Sequence, residues 1–95
     1  MNLFPAYLVK ATAGRDKGKY FAVIEVLDEN YVLICDGRRR KLDSPKRKKI
    51  KHLLSLNYSL DLIKNKSESG NKISNSDIKK SIRCALLALG ILNEE

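Results

Sequence analysis

Nine of the residues from 38 to 51 are basic: Arg38, Arg39, Arg40 and Lys41, then Lys46, Arg47, Lys48, Lys49 and Lys51. Asp43 is the only acid among them, so this window carries a net charge of +8, equal to the formal charge of the whole 95-residue chain. Cations at that density, with almost no acids to pair with, suit the binding of a polyanion, most often a nucleic acid, whose condensed counterions are released as its phosphates are neutralised. Arg presents a planar fork to phosphate oxygens and can stack on bases, whereas Lys acts as a mobile point charge. If Arg38, Arg39 and Arg40 continue a strand, they divide between its two faces and cannot all meet one row of phosphates.

A second set of cations lies in Gly14-Arg-Asp-Lys-Gly18-Lys19. Two glycines able to take positive φ, with Asp16 between them to bond nearby backbone amides, describe a compact turn that presents Arg15 and Lys17 outward. It is not a nucleotide-binding phosphate loop, because that motif reads GxxxxGK[ST] and enters a helix, whereas here Tyr20 follows and a strand begins. Catalytic constellations are missing. The single histidine, His52, has no positioned partner, and no HExxH, nucleophile elbow or pair of acids sharing a pocket can be placed. Cys35 and Cys84 stand 49 positions apart without metal-ligand spacing, and are expected to be reduced thiols packed as small hydrophobes. The chain is expected not to be an enzyme and to need no cofactor or metal.

The elements that would carry these cations follow from hydrophobic patterning. Tyr7-Leu-Val-Lys-Ala-Thr12 has the composition of a first strand, and Tyr20-Phe-Ala-Val-Ile-Glu-Val-Leu27 that of a second. In the second strand Ala22, Ile24 and Val26 form the uncharged alternating set, hence the expected core face, with Glu25 on the wetter side. Asp28-Glu-Asn30 fits a hairpin loop in which Asn enters the left-handed region cheaply, and Tyr31 to Cys35 returns. Asp36-Gly37 signals another turn. Pro45 keeps its segment from being a central ladder strand, and Ile50-Lys-His-Leu53 is expected to be the strand that closes the sheet. Five short strands with tight turns suggest a small SH3-like barrel over residues 1–56. Residues 57–73 read as a connecting arm in which periodicity does not choose between extended chain and a short helix. Ser74-Asn-Ser-Asp77 is a capping arrangement for a helix within residues 74–92, expected to pack on the barrel through Ile78, Ile82, Leu86 and Leu89, with Lys79, Lys80 and Arg83 on its other side. Gly90 is expected to end it. The fold class is therefore mainly β with C-terminal α: an SH3-like barrel plus one or two helices.

Gly14-Arg-Asp-Lys-Gly18-Lys19, followed by Val23-Ile-Glu-Val-Leu-Asp28, resembles a KOW motif, the short RNA-binding element of several ribosomal proteins and transcription elongation factors. With Ala13 before it and Val32-Leu-Ile-Cys-Asp-Gly37 after it, the stretch is most similar to the large-subunit ribosomal protein family called fourteen-e, and to small bacterial KOW-domain RNA-binding proteins related to that family. The resemblance covers residues 6–53. It implies an SH3-like barrel and RNA binding, with Gly18 as the motif glycine and Arg15, Lys17 and Lys19 on the binding loop. The basic run after Gly37 rests on its own chemistry.

The expected function is thus a non-enzymatic protein that contacts structured RNA, an RNA of the ribosome, through both basic segments, in the company of ribosomal proteins. With few aromatics and many cations, recognition by shape and phosphate fits better than single-strand reading. A different class of function, a protein-interaction module working through a strand edge, an aromatic pocket or the C-terminal helix, is the alternative. A third is electrostatic attachment to an anionic membrane or to DNA. Met1-Asn-Leu-Phe-Pro5 lacks the basic start and long apolar core of a secretory leader, and the longest uncharged apolar run is far shorter than a membrane span, so a cytoplasmic location without membrane contact is expected.

Overall fold

The β-branched and aromatic stretches form five strands in the computed structural model, which describes residues 3–93. Met1 and Asn2, where the barrel segment and the leader reading begin, lie outside the described residues. The strands are β1 (Tyr7–Ala11), β2 (Tyr20–Val26), β3 (Tyr31–Cys35), β4 (Lys46–Lys49) and β5 (Leu53–Ser59), followed by α1 (Asp61–Glu68) and α2 (Asn75–Ala88). They pair antiparallel in the order β4-β3-β2-β1-β5. The class is mainly β with C-terminal α, as expected, but the sheet is not closed: β4 and β5 are its two edges and do not pair with each other.

Ile50 to His52, expected to be the closing strand, form a 3-10 turn between these edges. The Ile50 amide donates to the Asn30 carbonyl oxygen (2.8 Å) instead of to a ladder partner, and the strand begins only at Leu53. Within residues 57–73, β5 continues to Ser59 and α1 follows almost at once. Asn57, with φ +53°, lies where β5 gains two residues over β1, since the pairing moves from Ser59 to Ser55 while β1 moves from Tyr7 to Val9.

Both faces of the sheet are buried. On one side Leu3, Val9, Ala11, Phe21, Val23, Val32, Ile34 and Leu53 form one cluster, and on the other Leu8, Ala22 and Cys35 pack beneath the helices with Leu60, Ile63, Ile78, Ile82 and Ala85. The face of β2 expected to be core is so at Ala22 and Ile24 but not at Val26, and the opposite face is core as well. Phe21 and Val23 fill the interior, Ala22 and the half-buried Ile24 face the helices, and Val26 is exposed. Beyond Val23 the register shifts: Val23 opposes Ile34 but Glu25 opposes Leu33, so Ile24 is an extra residue and the alternation changes by one before Val26.

Helix α2 starts as its sequence proposes. The Asp77 amide donates to Ser74 Oγ (3.1 Å) and the Ser74 amide donates to Asp77 Oδ2 (3.0 Å), a complete capping box. Ile78, Ile82 and Ala85 are buried against the sheet and Leu86 packs beside them, whereas Leu89, expected in this row, is 40% exposed at the helix end. Gly90 then takes φ +73° and its amide donates to the Leu87 carbonyl oxygen (3.1 Å). Cys35 is buried as expected, but Cys84 is exposed on α2.

The Ser74 amide, and then the Lys66 ammonium 2.9 Å away, hold the Asp77 carboxyl below its ordinary value, at about 2. A depressed carboxylate contributes its stabilisation above the unfolded value near 3.8 and loses it as pH falls through about 2. Urea unfolding at stepped pH should show wild type more stable than Asp77→Asn at pH 6, with the gap narrowing as pH falls from 4 to 2. A gap independent of pH would remove this role from Asp77.

Candidate nucleic-acid interface

The antiparallel order brings the β1–β2 loop (residues 12–19) and the β3–β4 loop (residues 36–45) to the same end of the sheet, where Ala22 opposes Cys35. In the first loop the Gly18 amide donates to the Ala11 carbonyl oxygen (2.8 Å) and the Lys19 amide to that of Asp16 (3.0 Å). The chain reverses at Gly18 with φ +87°, a conformation that a Cβ would strain although the space around it is open. Arg15, Lys17, Gly18 and Lys19 are all exposed.

Asp16 does something other than cap this turn. Its carboxylate is buried, and Arg40 of the second loop donates from Nη2 to Oδ2 at 3.1 Å. Lys48 of β4 is buried as well and donates from Nζ to the Ala13 carbonyl oxygen at 2.9 Å. Two of the thirteen residues expected to bind RNA therefore turn inward and fasten the two basic loops together. Arg38, Arg39 and Lys41 remain exposed on the second loop.

That loop is a compact turn rather than a strand extension. Asp36 Oδ1 accepts from the Arg38 amide (2.9 Å) and the Arg40 amide (3.0 Å), while the Arg40 carbonyl oxygen accepts from the amides of Asp36 and Gly37. Beside it, burial and then the Asp36 charge push the Cys35 thiol up to about 12, which leaves it protonated and unreactive. The hairpin 27–30 is built the same way: Asp28 Oδ1, not a left-handed Asn30, organises it by accepting from the amides of Asn30 and Tyr31, both at 2.8 Å.

The remaining cations are distributed along β4. Alternation puts Lys46 and Lys48 on one face and Arg47 and Lys49 on the other. The Arg47 guanidinium lies 3.8 Å from the Tyr31 ring centroid, a stacked cation–π contact, and Lys49 opposes Tyr31 in the ladder. Lys49 and Lys51 border a separate cleft with Glu29 and Tyr31, at the far end of β3 from the two fastened loops.

Helix α2 contributes further cations from beside its apolar row. A Cβ on Gly37, which has φ +77°, would collide with the Asn75 carbonyl oxygen and crowd Lys79 Cγ, and the Leu42 amide donates to Asn75 Oδ1 at 2.9 Å. The first turn of α2 is thereby fixed to the basic loop, and Lys79 and Arg83 share a groove with Lys19 and Arg38. Their spacing of four was visible in the sequence, but only the docking of Asn75 on Gly37 tells which way that row faces. Among the described residues the ion pairs are Arg40–Asp16 and Lys66–Asp77, so the exposed cations of both loops and of this groove have no carboxylate partner there.

The apolar surface gathers elsewhere. Phe4 is 53% exposed with its ring edge-on to Tyr7 (5.4 Å), and both border a groove of about 550 Å³ with Leu42, Ile63 and Ile73. Among the described residues there is no group of three or more His, Cys, Asp or Glu placed to hold a metal, and no helix long and apolar enough to cross a membrane. No protein-family model matches the chain.

Neighbouring arginines separate the internal role from the external one. Arg40→Ala leaves Asp16 buried without its partner and should lower stability by roughly 1–3 kcal/mol. Arg39→Ala, on the same turn but exposed, should stay within about 0.5 kcal/mol of wild type. Equal midpoints in urea denaturation would mean that the Asp16–Arg40 pair does not hold the loops.

Proposed function

We propose that this chain is a non-catalytic, cytoplasmic RNA-binding protein that contacts structured RNA, an RNA of the ribosome, in company with ribosomal proteins. One observation carries the reading: two loops of like charge are fastened side by side through Asp16–Arg40 and Lys48–Ala13, so that Arg15, Lys17, Lys19, Arg38, Arg39 and Lys41 extend from a shared, braced base. Opposing such repulsion with a buried carboxylate makes sense when an external polyanion completes the charge balance. The likeness of Gly14–Lys19 and Val23–Asp28 to the KOW motif points the same way. Phosphate contacts from six exposed cations would give a slope of log affinity against log salt of up to about −5 on duplex RNA, taking the B-DNA coefficient as a guide.

The test is a fluorescence-anisotropy salt titration of a ribosomal RNA hairpin with wild type, with Arg38/Arg39/Lys41→Ala, and with Lys49/Lys51→Ala. The first variant should flatten the slope by roughly 0.7–0.9 for each phosphate it no longer neutralises, and the second should change it less. Identical slopes in all three proteins would sink the assignment of the loops. Co-sedimentation with ribosomal subunits at moderate salt tests the ribosomal part.

The groove beside Phe4 and Tyr7 favours a second reading, a protein-docking module. It predicts a partner that no longer binds on Phe4→Ala and is largely indifferent to salt.

A further inference from the structure

The groove between loop 36–45 and α2 combines two features that a phosphate site alone does not call for. Lys19, Arg38, Lys79 and Arg83 line it, contributed by three separate elements. The one acid at its edge, Asp36, already accepts from two backbone amides of its own turn. Between these cations the lining is apolar, from Tyr20, Ile82, Leu86 and Leu92, with Tyr20 and Leu86 only half-buried. The volume is about 380 Å³, within the roughly 300–1,000 Å³ of small-ligand sites.

Building on the RNA-binding reading, we infer that this groove receives a single unpaired nucleotide extruded from a structured RNA, its base against Tyr20 and Leu86 and its phosphates between Lys19, Arg38, Lys79 and Arg83. A paired duplex offers a protein surface phosphates, 2′-hydroxyls and the polar base edges of its shallow groove, while stacking hides the apolar base faces. An apolar lining ringed by cations would gain nothing from such a rod. A nucleotide that has left the stack exposes a flat apolar base beside two phosphates and matches both features. The cations are held for this purpose by the backbone: Arg38 by the Asp36 turn, and Lys79 and Arg83 by the seating of Asn75 against Gly37. Extrusion is least unfavourable where the nucleotide has no pairing partner, which makes a bulge the natural target.

Three RNAs of one sequence test this: a perfect hairpin, the hairpin with a one-nucleotide bulge, and the same bulge carrying an abasic nucleotide. The abasic form keeps the extra phosphate and the backbone discontinuity but has no base. Wild-type protein should bind the bulged hairpin about tenfold more tightly than the perfect one, and the abasic form should lose most of that gain. Lys79→Ala/Arg83→Ala should lose general affinity as any removal of two cations would, but should bind the bulged and the perfect hairpin equally, with no bulge preference. Lys80→Ala, exposed on α2 but outside the groove, should keep it. Thermal melting of each variant checks that the fold is retained. Equal affinity of wild type for all three RNAs, or full retention of the preference by the abasic bulge, would overturn the groove assignment while leaving RNA binding intact. Failure to bind any of the three at 50 mM salt would instead remove the RNA reading on which the inference rests.

Discussion

A chain this short has covered both faces of a five-stranded sheet, and most of its architecture follows from that constraint. The interior cluster around Phe21, Val23 and Ile34 could form from the strands alone, but Leu8, Ala22 and Cys35 on the outer face need a cover. Helices α1 and α2 supply it through Ile63, Ile78, Ile82 and Ala85. Each fully buried aliphatic or aromatic side chain contributes on the order of 1.5–3 kcal/mol, so a small domain has little reserve if the outer layer is lost. With both faces occupied, most charge lies in loops, on the exposed sides of helices and along the edge strand β4, with Lys10 of β1 and Glu25 of β2 as exceptions. Lysines along β4 also discourage another strand from pairing with that free edge.

Concentrating cations at one end creates repulsion that the fold must oppose locally. Asp16 opposes it from beneath, buried and paired with Arg40, and Lys48 is drawn inward by a carbonyl oxygen. Buried ion pairs often add little net stability, because desolvation offsets attraction, yet breaking one strands a charge and is strongly unfavourable. The pair therefore fixes which loop lies against which. Arg47, on the opposite face of the same strand, takes a third internal role by stacking on Tyr31.

Much of the fold was readable because local chemistry agrees with tertiary structure: the Ser74–Asp77 cap, the glycine turn at Gly14 to Gly18, and the Asp36-Gly37 reversal all lie where their residue types place them. What could not be read were features set by partners distant in sequence. Both faces of β2 are core because helices distant in sequence cover one of them, and the extra residue Ile24 shifts the alternation only beyond Val23; an alternating run announces neither. Asp16 looked like a turn-capping residue because its partner Arg40 lies 24 positions away. In the basic run, composition identified the charge but not its division, and Arg39 and Arg40, adjacent and of one type, face opposite fates because the Asp36 turn points one of them at Asp16. Lys79 and Arg83 were legible as a helical row and illegible as part of a groove, since only the close approach permitted by Gly37 sets the rotation of α2.

A disordered tail carrying the same lysines and arginines would neutralise as many phosphates, and that comparison isolates what the folded scaffold adds. Beside Arg40 and Lys48, the residues that hold the basic surface in shape are not cationic: Asp16 and Asp36 brace the loops, Gly37 admits the helix, and Asn75 fixes it to the Leu42 amide. None of them would improve a purely electrostatic attraction, and the two acids oppose it. They serve instead to set the distances between positive groups before any ligand arrives, so that only flexible side-chain ends lose freedom on binding. Phosphate neutralisation is insensitive to spacing in a mobile chain, whereas a braced array discriminates between RNA shapes by whether their phosphates fall where the cations already are. Under the proposed RNA-binding function, the acids and the glycine inside this basic surface would be what permits recognition by shape, and they are the part of it that charge counting alone discards.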